Sequence, residues 1–158
     1  MSYGRGYKAG GFNLDRAGFA NPLLALAVPP PRPVIVPTAA DLDFDEETVD
    51  AYEIGSKTTL REIITVNVAA FYQEFDDFQL NSFTGTGFTV SNLPEVTSKG
   101  VELEWAAAIA DGLTLNGGAT YTNASYSNDA ETPAALRGRR LTNAPFWVVT
   151  AAASYEQL

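Results

Sequence analysis

The chain contains no cysteine and no histidine among its 158 residues. Without cysteine there is no disulfide scaffold, no thiol nucleophile and no Cys-rich zinc site. Without histidine the commonest general base, the Ser-His-Asp triad and most transition-metal sites are gone as well. Basic residues are scarce: 10 Lys and Arg stand against 19 Asp and Glu, for a net charge of -9. A sequence pI near 4.3 argues against nucleic acid as a partner, because phosphate binding needs a basic surface. Long apolar runs are also missing. None exceeds the length of Leu23 to Val28, which ends against Pro29, Pro30 and Pro31, far short of the roughly 18–20 residues of a spanning helix. The opening Met-Ser-Tyr-Gly-Arg-Gly-Tyr lacks the basic, apolar and small-residue regions of a signal peptide. Taken alone, that points to the cytoplasm, yet the same residues read as the middle of a strand. The length allows one ordinary domain, not two.

What is present is strand chemistry, with helical periodicity nearly absent. Tyr52, Ile54, Ser56, Thr58 and Leu60 alternate with Ala51, Glu53, Gly55, Lys57 and Thr59. Val66, Val68, Ala70 and Tyr72 alternate with Asn67, Ala69, Phe71 and Gln73. Val101, Leu103 and Trp105 oppose Glu102 and Glu104, while Leu113, Leu115, Gly117, Ala119 and Tyr121 oppose Thr114, Asn116, Gly118 and Thr120. Trp147, Val149, Ala151, Ala153 and Tyr155 make a last apolar set. With the opening Tyr3 to Lys8, about six strands are expected, most longer than the usual five or six residues.

Strands of about 9–11 residues are what a tilted bilayer crossing needs. Their apolar faces carry small aliphatic residues in the middle and aromatics towards the ends. Trp147 and Tyr155 lie eight residues apart on one face, roughly 26 Å along the strand and about 20 Å of height at a tilt near 40°. A soluble sandwich alternates too, so it stands as the alternative: a carbohydrate-binding module in which Val66/Val68, Leu103/Trp105 and Leu113/Leu115 pack as a dry core. Connection lengths favour the membrane. Long loops near 13–47, 84–97 and 127–142 alternate with short turns at Arg61-Glu62 and Ala110-Asp111-Gly112, the asymmetry of outer-membrane barrels. The proline-rich stretch 28–37 falls in the first long loop, where it can join neither helix nor ladder.

These segments resemble a known family. Tyr3-Gly-Arg-Gly-Tyr-Lys-Ala-Gly-Gly-Phe-Asn13, Glu47-Thr48-Val49-Asp50-Ala51-Tyr52-Glu53-Ile54-Gly55-Ser56-Lys57 and Ala70-Phe71-Tyr72 are similar to successive barrel strands of TonB-dependent outer-membrane receptors. Asp77-Phe78-Gln79-Leu80, Ser91-Asn92, Ser98-Lys99-Gly100-Val101-Glu102-Leu103-Glu104, Gly112-Leu113-Thr114-Leu115, Tyr121 to Tyr126 and Asn143-Ala144-Pro145 follow in that family's order. The resemblance implies an all-β, antiparallel up-and-down meander that forms part of a 22-stranded transmembrane barrel. It implies import of ferric siderophores or similar scarce nutrients across the outer membrane of a Gram-negative bacterium. The implied partners are outer-membrane lipid, the rest of the receptor with its plug, the TonB complex and a small ligand; no cofactor is implied. The chain holds no plug domain and too few strands to close a pore, so residues 1–158 read as an interior slice of the C-terminal half of such a barrel. It also stops at Glu156-Gln157-Leu158, without a terminal aromatic. On its own a six-stranded sheet leaves unpaired edges and is expected to aggregate or to fold as a curved sheet.

Under this reading Glu53, Lys57, Asn67, Gln73, Glu102, Glu104, Thr114 and Asn116 form a polar wall towards the lumen. Tyr52, Trp105, Tyr121, Trp147 and Tyr155 form an aromatic girdle towards lipid. Glu102 and Glu104 also fit a glycosidase pair by spacing alone, and Asp76-Asp77 with Glu74 a hard-cation site; hydrated wall and strand end are the plainer readings. Arg137, Arg139 and Arg140 make the sharpest charge cluster, and on an external loop their guanidinium forks suit a carboxylate- or phosphate-bearing ligand. Phe83 and Phe88 can pack on a substrate or on each other. No nucleophile has a base partner and no metal set is visible, so no catalysis is expected.

Overall fold

A computed structural model describes residues 1–14, 42–83 and 87–157. Among them the period-2 pattern resolves into β1 (Ser2–Lys8), β2 (Gly11–Phe12), β3 (Asp43–Phe44), β4 (Glu47–Leu60), β5 (Ile64–Phe83), β6 (Phe88–Ala110), β7 (Leu113–Tyr126) and β8 (Trp147–Tyr155). Six strands form one antiparallel sheet in the order β1-β4-β5-β6-β7-β8, and β2-β3 make a separate two-stranded ribbon. Apart from that ribbon, each strand neighbours the next in sequence, so the sheet is a meander. No helix among the described residues is long and apolar enough to cross a membrane; strands can cross without one.

Two tight turns close one end of the sheet. Arg61 and Glu62 both take left-handed backbone angles (φ 50 and 59), and the Ile63 amide donates to the Leu60 carbonyl at 3.1 Å. That is a turn with both central residues left-handed, as in the primed types, set in a three-residue connection because Leu60 pairs with Ile64. The second turn uses Gly112 at φ 73. A side chain there would also meet the Glu156 carbonyl oxygen at 2.2 Å, so glycine is required twice over. A register shift between Ala108 and Ala110 adds a bulge just before this turn.

The opposite end is built differently from the sequence expectation. The loop expected near 84–97 is strand from Phe88 onward, paired with β5 as far as Phe83↔Phe88. Strands of 20 and 23 residues are about twice the bilayer requirement. The reason is a second, local core: Leu93, Val96 and Tyr126 are buried, with Phe75, Phe78, Leu80, Leu136 and Leu141 packed on them. Strict alternation would put Phe75 and Phe78 on opposite faces. Asp77, held at φ 52 opposite Pro94, reverses the phase and turns both onto one cluster. Pro94 is tolerated because β7 pairs with β6 only from Val96, leaving a locally free edge.

The sandwich alternative is overturned by this architecture. Val68 and Leu103, assigned to a dry core, are 43% and 38% exposed on one continuous sheet, and no second layer covers them among the described residues. The proline-rich stretch 28–37 lies outside the described residues.

Candidate functional site

Antiparallel register places directly opposed residues on the same face, so the pairings can be followed across the sheet. Ser56, Val68, Leu103, Ala119 and Val149 form one row. Ile54, Ala70, Val101, Tyr121 and Trp147 form the next. This face is apolar and open, with Val149 71% exposed. On the reverse face lie Gly55, Ala69, Glu102, Thr120 and Val148, and then Lys57, Asn67, Glu104, Gly118 and Thr150. All eight residues of the expected polar wall share that second face: Glu53, Lys57, Asn67, Gln73, Glu102, Glu104, Thr114 and Asn116.

Within the polar face Glu53, Lys57, Asn67, Glu102 and Glu104 line an open hollow of about 380 Å³. Three carboxylates face one ammonium there, so the hollow is complementary to cations. The Asn67 amide donates to Glu104 Oε2 at 3.4 Å, while Asn67 Oδ1 is buried with no partner among the described residues. Glu53 and Lys57 stand four residues apart on one strand, about 13 Å, and so do not act as a pair.

The five expected girdle residues share the apolar face, but not one level. Tyr3, Tyr52 and Tyr72 form an aromatic row across β1, β4 and β5, with ring centroids 5.1 and 6.5 Å apart. Tyr121 and Trp147, 5.1 Å apart on β7 and β8, stand in the neighbouring row, level with Ile54, Ala70 and Val101. The Tyr3 and Tyr72 hydroxyls donate to Asp50 and Glu74 at 2.6 and 2.8 Å, one step nearer the long-loop end. Tyr155 marks the other end of β8, paired with Leu113. Trp105 stands between the two levels and lies over Gly117, where a side chain would sit 3.0 Å from its Nε1. The indole covers the strand glycine, a cross-strand pairing that fixes register.

Beyond the aromatic row, acidic residues take over. Asp76 is directly opposite Glu95. Burial lifts the Glu95 carboxyl above the usual glutamate range, and Glu74, Asp129 and Asp76 add to the rise.

The three arginines divide. Arg137 Nη2 donates to the carbonyls of Ala130 (2.8 Å) and Thr132 (3.0 Å). Arg140 Nη2 donates to Ala144 (2.7 Å) and Thr122 (3.1 Å), and its guanidinium sits 3.2 Å over the Phe146 ring. Both spend their forks tying down their own loop, while Arg139 is exposed. Phe83 and Phe88 do pair, at 5.2 Å. Sequence reasoning gave no role to three amides, Asn13, Gln79 and Asn92, although they fall within the family-like segments; their partners are backbone atoms far along the chain.

A family model described as TonB dependent receptor-like, beta-barrel, matches residues 1–158. The chain belongs to the TonB-dependent receptor β-barrel family. Members are transporters rather than enzymes, which leaves Glu102 and Glu104 no hydrolytic role. Among solved structures, the ferric yersiniabactin uptake receptor FyuA from Yersinia pestis shares the fold of this barrel segment. The TM-score is 0.66 at 24% identity, over 96% of this chain and 19% of FyuA. The segment therefore spans about a fifth of that receptor. No match is found among the curated proteins.

Proposed function

We propose that the chain is a wall segment of an outer-membrane, TonB-dependent importer of ferric siderophores or chemically similar scarce nutrients. One observation carries this reading: a single sheet with an open apolar face bearing aromatic rows and a reverse face bearing carboxylates, hydroxyls and amides. Only a wall between hydrocarbon and water needs both faces uncovered by the same chain. Tyr52, Trp105, Tyr121, Trp147 and Tyr155 then face lipid, and the eight polar residues face the lumen. The short turns lie on the periplasmic side and the long segments outside. Unpaired edges at β1 and β8 take further barrel strands, and six strands cannot enclose a lumen alone. The orphaned Asn67 Oδ1 and the three carboxylates around it suit a cationic, hydrogen-bonding surface of the plug. TonB engages elsewhere in the receptor. On the outer loop Arg139 is the guanidinium left to meet an anionic ligand, with Arg137 and Arg140 holding the loop in shape.

The experiment is carried out on the full-length product in its host. Heat-modifiable migration, recovery with outer membranes, and uptake of ⁵⁵Fe-loaded siderophore that stops when the proton gradient is collapsed are expected. A protein found in the soluble fraction, or uptake indifferent to the gradient, contradicts the proposal.

A further inference from the structure

Three amide side chains at the long-loop end do something the barrel itself does not require. The Asn13 carboxamide accepts the Val90 amide at 2.6 Å and donates to the Val90 carbonyl at 2.8 Å. The Asn92 carboxamide accepts the Asp45 amide at 2.8 Å and donates to the Asp45 carbonyl at 3.0 Å, and to Asp77 at 2.7 Å. A primary amide carries the same donor and acceptor as a peptide unit. Each reciprocal pair therefore copies one antiparallel bridge, and the two bridges run in opposite senses: β6 backbone to an incoming side chain, and β6 side chain to an incoming backbone. Between them Gln79 Nε2 donates to Ala9 at 3.0 Å and Asp45 at 2.9 Å, while its own amide is taken by Glu47 Oε2 at 2.7 Å. Asn13 and Gln79 are each only 7% exposed, so water cannot replace these bonds cheaply. The Asn13 amide also donates to Leu42 at 2.6 Å, and Gly11 and Phe12 pair with Phe44 and Asp43.

Residues 11–13 and 43–45 are thus both fixed to the same hairpin. We propose that Asn13, Gln79 and Asn92 are positioning residues that lock residues 11–13, residues 43–45 and the distal β5–β6 hairpin into one rigid rim. What displaces one of these then displaces the others, and ordering them costs the ligand nothing. This rests on the functional reading above only in calling this end the ligand-facing rim; the locking itself does not depend on it.

The test is hydrogen exchange on the full-length receptor in bilayers, read at the Val90 and Asp45 amides. Asn13→Leu touches only the first pair and Asn92→Leu only the second. A locked rim loses about tenfold protection at both amides in either variant, with residues 64–72 unchanged. Protection lost only at the substituted residue's own partner overturns the proposal, and so does a loss that spreads to 64–72. Asn92→Asp supplies a readout that packing alone would not move. Ionised, it still accepts the Asp45 amide but can donate to neither the Asp45 nor the Asp77 carbonyl; protonated, it regains one donor in place of the two amide N–H groups. Protection at Val90, corrected for intrinsic exchange, must rise towards the wild-type value on acidification, and the absence of any rise overturns the lock. Outer-membrane fractionation of the same samples tests the importer reading separately.

Discussion

At the scale of single residues, the turn and the acidic edge carry the sharpest expectations. Arg61 and Glu62 hold left-handed backbone angles that side chains resist, at a cost of about 1 kcal/mol or more each. Glu62→Gly relieves one of them without touching a strand. Urea unfolding of the folded receptor, followed by loss of heat-modifiable migration, should shift to higher stability by about 1 kcal/mol. Glu95 gives a pH dependence. Its folded carboxyl holds a proton to higher pH than the unfolded chain, because burial and three neighbouring carboxylates disfavour the charge. The native state then binds more protons across that window, so stability falls as pH rises from the normal glutamate range through the raised folded value. Glu95→Gln removes this penalty. Loop 127–142 in the variant should resist protease better than wild type at neutral pH and equally at pH values below the glutamate range. A variant less resistant at neutral pH would mean Glu95 is held by a cation instead.

Among the elements, the distal half of the β5–β6 hairpin is a small folded body resting on Leu93 and Val96. Leu93→Ala should cost about 2–3 kcal/mol there, seen as faster exchange in residues 75–83, 88–96 and 127–142. Exchange at 64–72 and 99–107 should stay as it was. This is also where the sequence stops being legible. The strand halves nearer the short turns were readable because Val66 and Val68, Leu103 and Trp105, and Trp147 and Val149 recur at strict intervals of two, and the polar face came with them. Beyond Asp77 and Pro94 the interval breaks. Phe75 and Phe78 share a core at a spacing of three, and a proline and an asparagine sit within the strand, so the pattern imitates a loop. The amide clamp was invisible for a different reason: Asn13 and Val90 are 77 positions apart, and one partner contributes only backbone. The arginine cluster was legible as charge, but not the division of labour within it. That depends on which carbonyls the loop turns inward.

At the scale of the whole molecule, both faces of one sheet are uncovered among the described residues, and their chemistry alternates residue by residue along the central strands. Adjacent positions on β6 must then meet different solvents. The measurement that asks this most directly is collision accessibility of single nitroxide labels at Leu103 and Glu104 in the full-length receptor, reconstituted in lipid. The label at Leu103 should relax with oxygen dissolved in hydrocarbon and ignore a water-soluble nickel complex, and the label at Glu104 should do the reverse. Two labels that respond alike, or a Leu103 label reached from water, would contradict a wall between bilayer and lumen.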